Sequence, residues 1–352
     1  MSESNNPFSL FFGKQPLQYI DRMSQTEMVT DVFNADIPST QVYMITGVRG
    51  SGKTVMMTAI ANKLSENSKW IVVNLNPSRD MLHAMASKLY KEPVFKPLLA
   101  ELKVDFSLLG IGVSISKSDK ISDIESVIEI LLKLAKKLKK RILVTIDEVT
   151  NEQYVKEFVS AFQIFIREDL PVFMLMTGLY ENIQQLKNNK ALTFLYRAPK
   201  IELQPLNINA IKNSYQNVLS CSEETAAWLA ATTKGYSFAF QVLGYLCWEQ
   251  KDKDYEKVIP KYMQYLEEYS YEKIWSELSS TEQSILKAMA RIDSGKVKDI
   301  RDHIGFDSNT FTVYRTRLIK KGILEAVSYG HLEFCLPFFE EYVLSQSIEL
   351  PV

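Results

Sequence analysis

Apolar residues follow two alternating patterns between positions 41 and 205. Short runs of β-branched and other apolar residues predict strands at 42–45, 70–75, 142–146, 172–176 and 200–203. Longer stretches with apolar positions at helical spacing separate several of these strands, at 81–90, 121–140 and 152–167. Near-continuous apolar strands that alternate with helices are typical of a buried parallel sheet with helices on both faces. The pattern therefore predicts an α/β fold with a parallel sheet.

Three further segments depart from this alternation. The glycines and the partial period of two at 104–116 predict a β-hairpin inserted in the sheet domain. This hairpin either folds over the edge of the sheet or presents an apolar surface to a partner, and edge protection favours the first. Beyond Pro205 the pattern is helical up to about position 269, which predicts a small helical lid. The predicted domains are thus a sheet domain over 1–205, a lid over 206–272 and a third domain over 273–352.

The third domain has the pattern of a winged helix-turn-helix. Three helical stretches, the last over 308–321, precede two short strands joined by a turn at Gly330. The last helix carries four basic side chains as candidate DNA contacts, namely Arg315, Arg317, Lys320 and Lys321. Acidic residues nearby balance this charge, so the same domain could instead contact a protein. Duplex DNA and a protein partner both remain open here.

Composition narrows the class of protein. The chain has 352 residues with 46% hydrophobic content, as a folded protein with an ordinary core has. Its formal net charge of −1 gives no overall indication of nucleic-acid binding. Three widely spaced cysteines and three histidines suggest neither a disulfide framework nor a zinc site. The polar N-terminus does not resemble a signal peptide, and no apolar run approaches a membrane span. We expect a cytoplasmic protein with reduced, buried thiols and no membrane partner.

A phosphate-binding loop follows the first strand. Residues 47–54 fit the pattern Gly-x-x-x-x-Gly-Lys-[Ser/Thr] at every fixed position and lead into a predicted helix. Backbone N–H groups of such a loop point at phosphate oxygens, and the helix N-terminus adds partial positive charge. The candidate nucleotide-binding residues are Gly47, Val48, Arg49, Gly50, Ser51, Gly52, Lys53, Thr54 and Val55. Lys53 would reach the β- and γ-phosphates, and the Thr54 hydroxyl would bind Mg²⁺. The alternative is a glycine-rich turn that binds nothing.

Two adjacent acidic residues end the predicted strand 142–146. Ligands of open α/β sheets bind beyond the carboxyl ends of the strands, where Asp147 and Glu148 stand. Asp147 would hold Mg²⁺, and Glu148 would polarise the water that attacks the γ-phosphate. The alternative is that the two acids only cap the next helix.

These motifs resemble AAA+ or STAND-type P-loop ATPases, in particular the bacterial and archaeal ATP-binding proteins related to the origin-recognition ATPases. The resemblance is carried by 45–54 and 146–148, together with 6–8 and 12–14 near the N-terminus. It covers nearly the whole chain and implies ATP or ADP with Mg²⁺ as ligands.

The resemblance also implies roles for two further residues. Thr177, at the end of the fourth main strand, matches a polar sensor of the γ-phosphate, and Arg197 matches an arginine that reaches the nucleotide of a neighbouring subunit. A simple capping role for Thr177 and a solvated surface role for Arg197 stay open. The lid departs from the family because 235–243 contains no arginine, and Ser237 stands where STAND proteins have proline. This departure favours slow hydrolysis or a held nucleotide over a fast motor.

We therefore expect an ATP-binding protein, a slow Mg²⁺-dependent ATPase that acts as a nucleotide switch coupled to the winged helix. One alternative is a DNA-binding regulator similar to initiators, in which ATP sets the affinity for DNA. A second is a STAND-like signalling scaffold that assembles into a homo-oligomer, or with a protein partner, when ATP binds.

Overall fold

The computed structural model describes residues 5–10, 16–101, 104–105, 119–120, 123–292 and 294–346. Contacts divide the chain into two compact units. The first, which we call the sheet unit, comprises Arg22–Thr46 and Lys53–Glu202. The second, the helical unit, comprises Gly47–Gly52 and the described residues of Met1–Asp21 and Leu203–Val352.

A five-stranded parallel sheet forms the centre of the sheet unit. Its strands, with two further short ones, are β1 (Val42–Thr46), β2 (Trp70–Leu75), β3 (Val104–Asp105), β4 (Asp119–Lys120), β5 (Arg141–Ile146), β6 (Val172–Gly178) and β7 (Lys200–Glu202). The strand order is β2-β5-β6-β1-β7, and every neighbouring pair is parallel. The residues of β1 and β6 are buried throughout, as strands covered on both faces require. The predicted parallel sheet is confirmed.

The helices of the sheet unit pack their apolar sides on this sheet. They are α1 (Met23–Asn34), α2 (Lys53–Ser65), α3 (Met81–Lys91), α4 (Lys96–Glu101), α5 (Ile124–Lys137), α6 (Gln153–Arg167) and α7 (Tyr180–Lys187). Side-chain caps set two of the starts: Asp80 accepts the His83 N–H at 3.0 Å, and Asp123 accepts the Ser126 N–H at 2.8 Å. The helices α3, α5, α6 and α7 share one apolar core with the strands of the sheet.

The predicted hairpin at 104–116 lies almost wholly outside the described residues. β3, at the start of this segment, pairs in parallel with β4, which lies beyond its end. The two arms of a single hairpin run antiparallel, so this pairing is not the one that a hairpin would make. The inserted hairpin remains a prediction.

The helical unit is built from helices and one antiparallel pair of strands. Its elements are α8 (Ile208–Leu219), α9 (Glu223–Thr232), α10 (Ser237–Glu249), α11 (Ile259–Leu266), α12 (Glu272–Ser276), α13 (Ser280–Ile292), α14 (Val297–Ile304), α15 (Ser308–Lys320), β8 (Leu324–Ser328), β9 (His331–Phe334) and α16 (Phe339–Ser345). A π-helical turn, Glu267–Tyr271, joins α11 to α12. Three helices, α13 to α15, precede the β8–β9 pair in the predicted order. The winged-helix assignment itself stays a prediction.

One hydrophobic core runs through the helical unit. It joins side chains of α8 and α10 to side chains of α13, α15 and α16. Because this core is continuous, contacts group 206–272 and 273–352 together, whereas the sequence predicted separate lid and C-terminal domains. The predicted boundary at 205/206 lies near the division between Glu202 and Leu203, whereas the one at 272/273 lies inside the helical unit. Separate lid and C-terminal domains stay a prediction.

The three cysteines are free thiols. Cys247 is buried, whereas Cys221 and Cys335 are half-buried. Burial raises the pKa of Cys247 and of Cys335 to about 12, so both thiols stay protonated and unreactive near neutral pH. In the part of the chain that the structure describes, no helix is long and apolar enough to cross a membrane.

Candidate nucleotide site

The loop 47–54 has the backbone of a tight turn between β1 and α2. Gly50 and Gly52 have φ of +75° and +92°, in the left-handed region that favours glycine. The Ser51 N–H donates to the Val48 carbonyl at 3.2 Å and closes the turn. After Gly52, Lys53 begins α2 and is only 9% exposed. The motif therefore has glycine at two positions where the backbone adopts a positive φ.

Asp147 is oriented by two hydroxyl groups of the sheet unit. Thr54 Oγ1 donates to Asp147 Oδ2 at 2.8 Å, and Thr177 Oγ1 donates to Asp147 Oδ1. The strand order explains this meeting, because β6, which carries Thr177, lies between β5 and β1. Sequence reasoning selected all three residues, and the structure brings them together at the carboxyl ends of the strands. Thr177 is fully buried, and its hydroxyl contacts Asp147, which the motifs did not predict.

Glu148 has a backbone conformation that is uncommon for a residue with a side chain. Its φ is +53°, and hydrogen bonds from both neighbouring peptides hold it there. The Glu148 N–H donates to Thr177 Oγ1 at 3.0 Å, and the Val149 N–H donates to the Thr177 carbonyl at 2.8 Å. The Glu148 side chain is exposed. Such conformations persist where surrounding structure enforces them and are frequent at functional sites.

The oxygen atoms at this edge fit a magnesium ion. In octahedral Mg²⁺ sites the metal–oxygen distance is about 2.1 Å, so adjacent ligands lie about 3 Å apart. The 2.8 Å between Thr54 Oγ1 and Asp147 Oδ2 matches that separation. Among the described residues, no group of three His, Cys, Asp or Glu side chains could hold a metal. Thr54 and Asp147 would therefore share the ion with phosphate oxygens and water, as Mg²⁺ sites commonly do.

The loop residues that belong to the helical unit have polar partners there. Arg49 Nη2 lies 2.9 Å from Glu277 Oε1, and the carbonyls of 49–51 accept hydrogen bonds from 236–238. Sequence reasoning considered 235–243 for its missing arginine and for Ser237 in place of a proline, and it did not predict these contacts. The glycine at 235 indicates the start of a helix in the sequence, but it does not indicate that this helix start contacts the loop 47–54.

The remaining predicted site residues lie on the surface or in ion pairs. Arg197 ends a 3₁₀-helical stretch and is exposed. On α15, Arg317 and Lys320 are exposed and Arg315 is half-buried. Lys321 differs from the prediction, because its ammonium group lies 2.8 Å from Glu282 Oε1, with side chains 11% and 3% exposed. This burial assigns Lys321 a structural ion pair, which a DNA phosphate would have to break.

Comparisons with known proteins agree with this architecture. Residues 20–177 match the family described as an ATPase domain predominantly from Archaea, and residues 268–343 match a family described as a domain of unknown function, DUF8462. No curated protein matches the chain.

Solved structures show the same fold over nearly the whole chain. A Walker-type ATPase of Pyrococcus abyssi is 14% identical with a TM-score of 0.62, over 92% of this chain and 95% of that one. The ORC2 protein of Aeropyrum pernix, solved as ADPNP and ADP complexes, is 13% identical with a TM-score of 0.63, over 95% of each chain. At these identities the likeness is one of fold. In fold the chain is therefore similar to these ATPases, and residues 20–177 match the family described as an ATPase domain predominantly from Archaea.

Proposed function

We propose that the protein binds ATP with Mg²⁺ and hydrolyses it slowly as a nucleotide switch. The observation that carries the proposal is the arrangement of Thr54, Asp147 and Thr177 at the edge of the sheet where the phosphate loop enters α2. The matched family and the two similar folds support the same reading.

Each residue has a distinct part in this reaction. The loop N–H groups and the Lys53 ammonium bind the phosphates, and Thr54 with Asp147 holds Mg²⁺. A Mg²⁺ ion held there would neutralise charge that develops on the phosphate oxygens. Glu148 accepts a proton from the attacking water. The hydrogen bond of its backbone N–H to Thr177 fixes the position from which the Glu148 side chain extends. Thr177 holds Oδ1 of Asp147 through its own hydrogen bond and is therefore a positioning residue.

Two substitutions test the proposal. Lys53→Ala removes the charge that binds the β- and γ-phosphates, so we expect loss of ATP binding. Glu148→Gln keeps size and polarity but cannot accept a proton, so ATP binding should persist while turnover falls at least about 100-fold. Binding is measured with fluorescent mant-ATP and turnover by phosphate release. Undiminished turnover in Glu148→Gln would show that another group is the base.

The exposed Arg197 is compatible with a role at a neighbouring subunit's nucleotide. A finger in trans stabilises transition-state charge and requires a second copy of the chain. Mixing Arg197→Ala with Glu148→Gln protein tests this, because a shared site would restore part of the turnover that each variant lacks alone. A mixture as inactive as its components would exclude the trans role.

A second candidate function is ATP-regulated binding of duplex DNA. The supporting observation is the exposed face of α15, where Arg317 and Lys320 lie together with Tyr314, whose ring centroid is 5.3 Å from the Arg317 guanidinium carbon. Basic side chains on the third helix of such a domain would bind phosphates in a major groove. Lys321 is left out of this proposal because it is paired with Glu282.

A further inference from the structure

The first turn of α10 makes three hydrogen bonds to the phosphate loop. Residues 236–238 donate to the carbonyl oxygens of residues 49–51, and all six belong to the helical unit. The bonds join Tyr236 Oη to Arg49 O (2.7 Å), Ser237 Oγ to Ser51 O (2.9 Å) and Phe238 N to Gly50 O (3.0 Å). We call residues 236–238 the loop clamp.

These bonds determine which way the loop's N–H groups point. In a trans peptide the C=O and the following N–H point in opposite directions. Because the clamp holds the carbonyls of Arg49 and Ser51, it turns the N–H groups of Gly50 and Gly52 away from α10. These are N–H groups that a phosphate loop offers to phosphate oxygens. The clamp thus orients the donors without occupying them.

The clamp is itself held in place by buried contacts. Tyr236 is 4% exposed, and its hydroxyl lies 2.6 Å from Ser270 Oγ in the π-helical turn. Burial raises the pKa of Tyr236, so the phenol keeps its proton and remains a donor. A methyl group at Gly50 would overlap the Tyr236 hydroxyl, which shows how closely the ring approaches the loop. Short π-helical turns are frequent at functional sites, and this one positions Ser270.

We propose that Tyr236 and Ser237 are positioning residues that preorganise the phosphate loop for nucleotide. The inference rests on the proposed ATP binding. A loop whose carbonyls are already held loses less conformational freedom when phosphate binds, so the clamp increases affinity. The stretch 237–243 has no arginine to touch the nucleotide, and here it acts through the loop backbone instead.

A matched pair of substitutions tests the clamp. Tyr236→Phe removes the hydroxyl bonded to Arg49 O, and Tyr215→Phe removes an equally buried hydroxyl that donates to the Phe240 carbonyl at 2.8 Å. Both should lower the melting temperature. Only Tyr236→Phe should weaken mant-ATP binding, by about fivefold, the ratio that corresponds to a lost hydrogen bond of about 1 kcal/mol. At saturating ATP, kcat should stay within about twofold, since the effect is on binding.

Ser237 provides a second test through rescue. Ser237→Ala removes the donor to Ser51 O and should weaken mant-ATP binding, whereas Ser237→Thr keeps a hydroxyl and should restore it. If Tyr236→Phe binds as Tyr215→Phe does, and Ser237→Ala binds as Ser237→Thr does, the clamp is overturned. Wild-type protein that binds mant-ATP no better than Lys53→Ala would instead overturn the proposed function.

Discussion

The Asp147 side chain at the candidate nucleotide site is oriented by two hydroxyl groups. Asp147 receives hydrogen bonds from Thr54 and Thr177, which come from different segments of the chain. An Asp at a strand end is common, but an Asp whose two oxygens are both oriented has a defined direction for a metal ion. The geometry of these three residues therefore carries more functional weight than their identities.

The buried pair of Glu282 and Lys321 leads to a prediction on stability and pH. Burial alone would raise the pKa of Glu282, but hydrogen bonds and charge from Lys321, with hydrogen bonds from Ser279, lower it. Since the folded-state pKa is lowered, the stabilisation is complete above about pH 5 and is lost as pH falls through the folded-state pKa. We expect Glu282→Gln to cost about 3 kcal/mol at pH 7 and clearly less at pH 3.

Urea unfolding at the two pH values measures this difference. Glu129→Gln is the control, because its partner Lys133 is exposed and such a pair contributes less than about 1 kcal/mol. An equal cost of Glu282→Gln at both pH values would contradict a stabilising role of the charge.

Among the larger elements, the phosphate loop depends on glycine for two separable reasons. Gly50 has φ +75° and a crowded Cβ position beside Tyr236 and Phe238, whereas Gly305, with φ +69° after α14, has no described atom within 4 Å of its Cβ position. Alanine at either site meets a backbone cost of about 1 kcal/mol. At Gly50 the collision adds about 2 kcal/mol more, as overpacking does.

We therefore expect Gly50→Ala to lose about 3 kcal/mol of unfolding free energy and to bind mant-ATP at least about tenfold more weakly. Gly305→Ala should lose about 1 kcal/mol and bind mant-ATP as the wild type does. Chemical unfolding and a binding titration measure both. Equal effects of the two substitutions would mean that the approach of Tyr236 does not constrain the loop.

For the whole molecule, the proposed nucleotide switch leads to a prediction on DNA binding. If duplex DNA is the output, its affinity should fall with salt and differ between ATP and ADP. Each phosphate contact contributes about 0.9 to the magnitude of the slope of log K against log salt. Removing Arg317 and Lys320 together should therefore lower that magnitude by about 1.8. The exposed Lys261 on α11 offers the control, since Lys261→Ala should leave that slope unchanged. Binding without salt dependence would exclude the DNA candidate.

The division between sequence and tertiary structure follows the range of the interactions. Strand positions, the phosphate loop and the pair Asp147–Glu148 were predictable because periodicity and motif spacing are local properties of the chain. The partners of these residues were not predictable in the same way. Thr177 donates a hydrogen bond to Asp147, 30 positions away in the sequence, and Tyr236 donates one to Arg49, 187 positions away.

The ion pair of Lys321 is a second contact that the sequence did not predict. As a sequence, it is one more basic residue on a candidate recognition helix, but packing places it against Glu282, 39 positions away. The sequence by itself thus determined the sheet, the motifs and the family resemblance. Only the tertiary structure decided that residues 236–238, in a segment without arginine, hold the phosphate loop by its carbonyls, because chain packing selects which distant donors meet which acceptors.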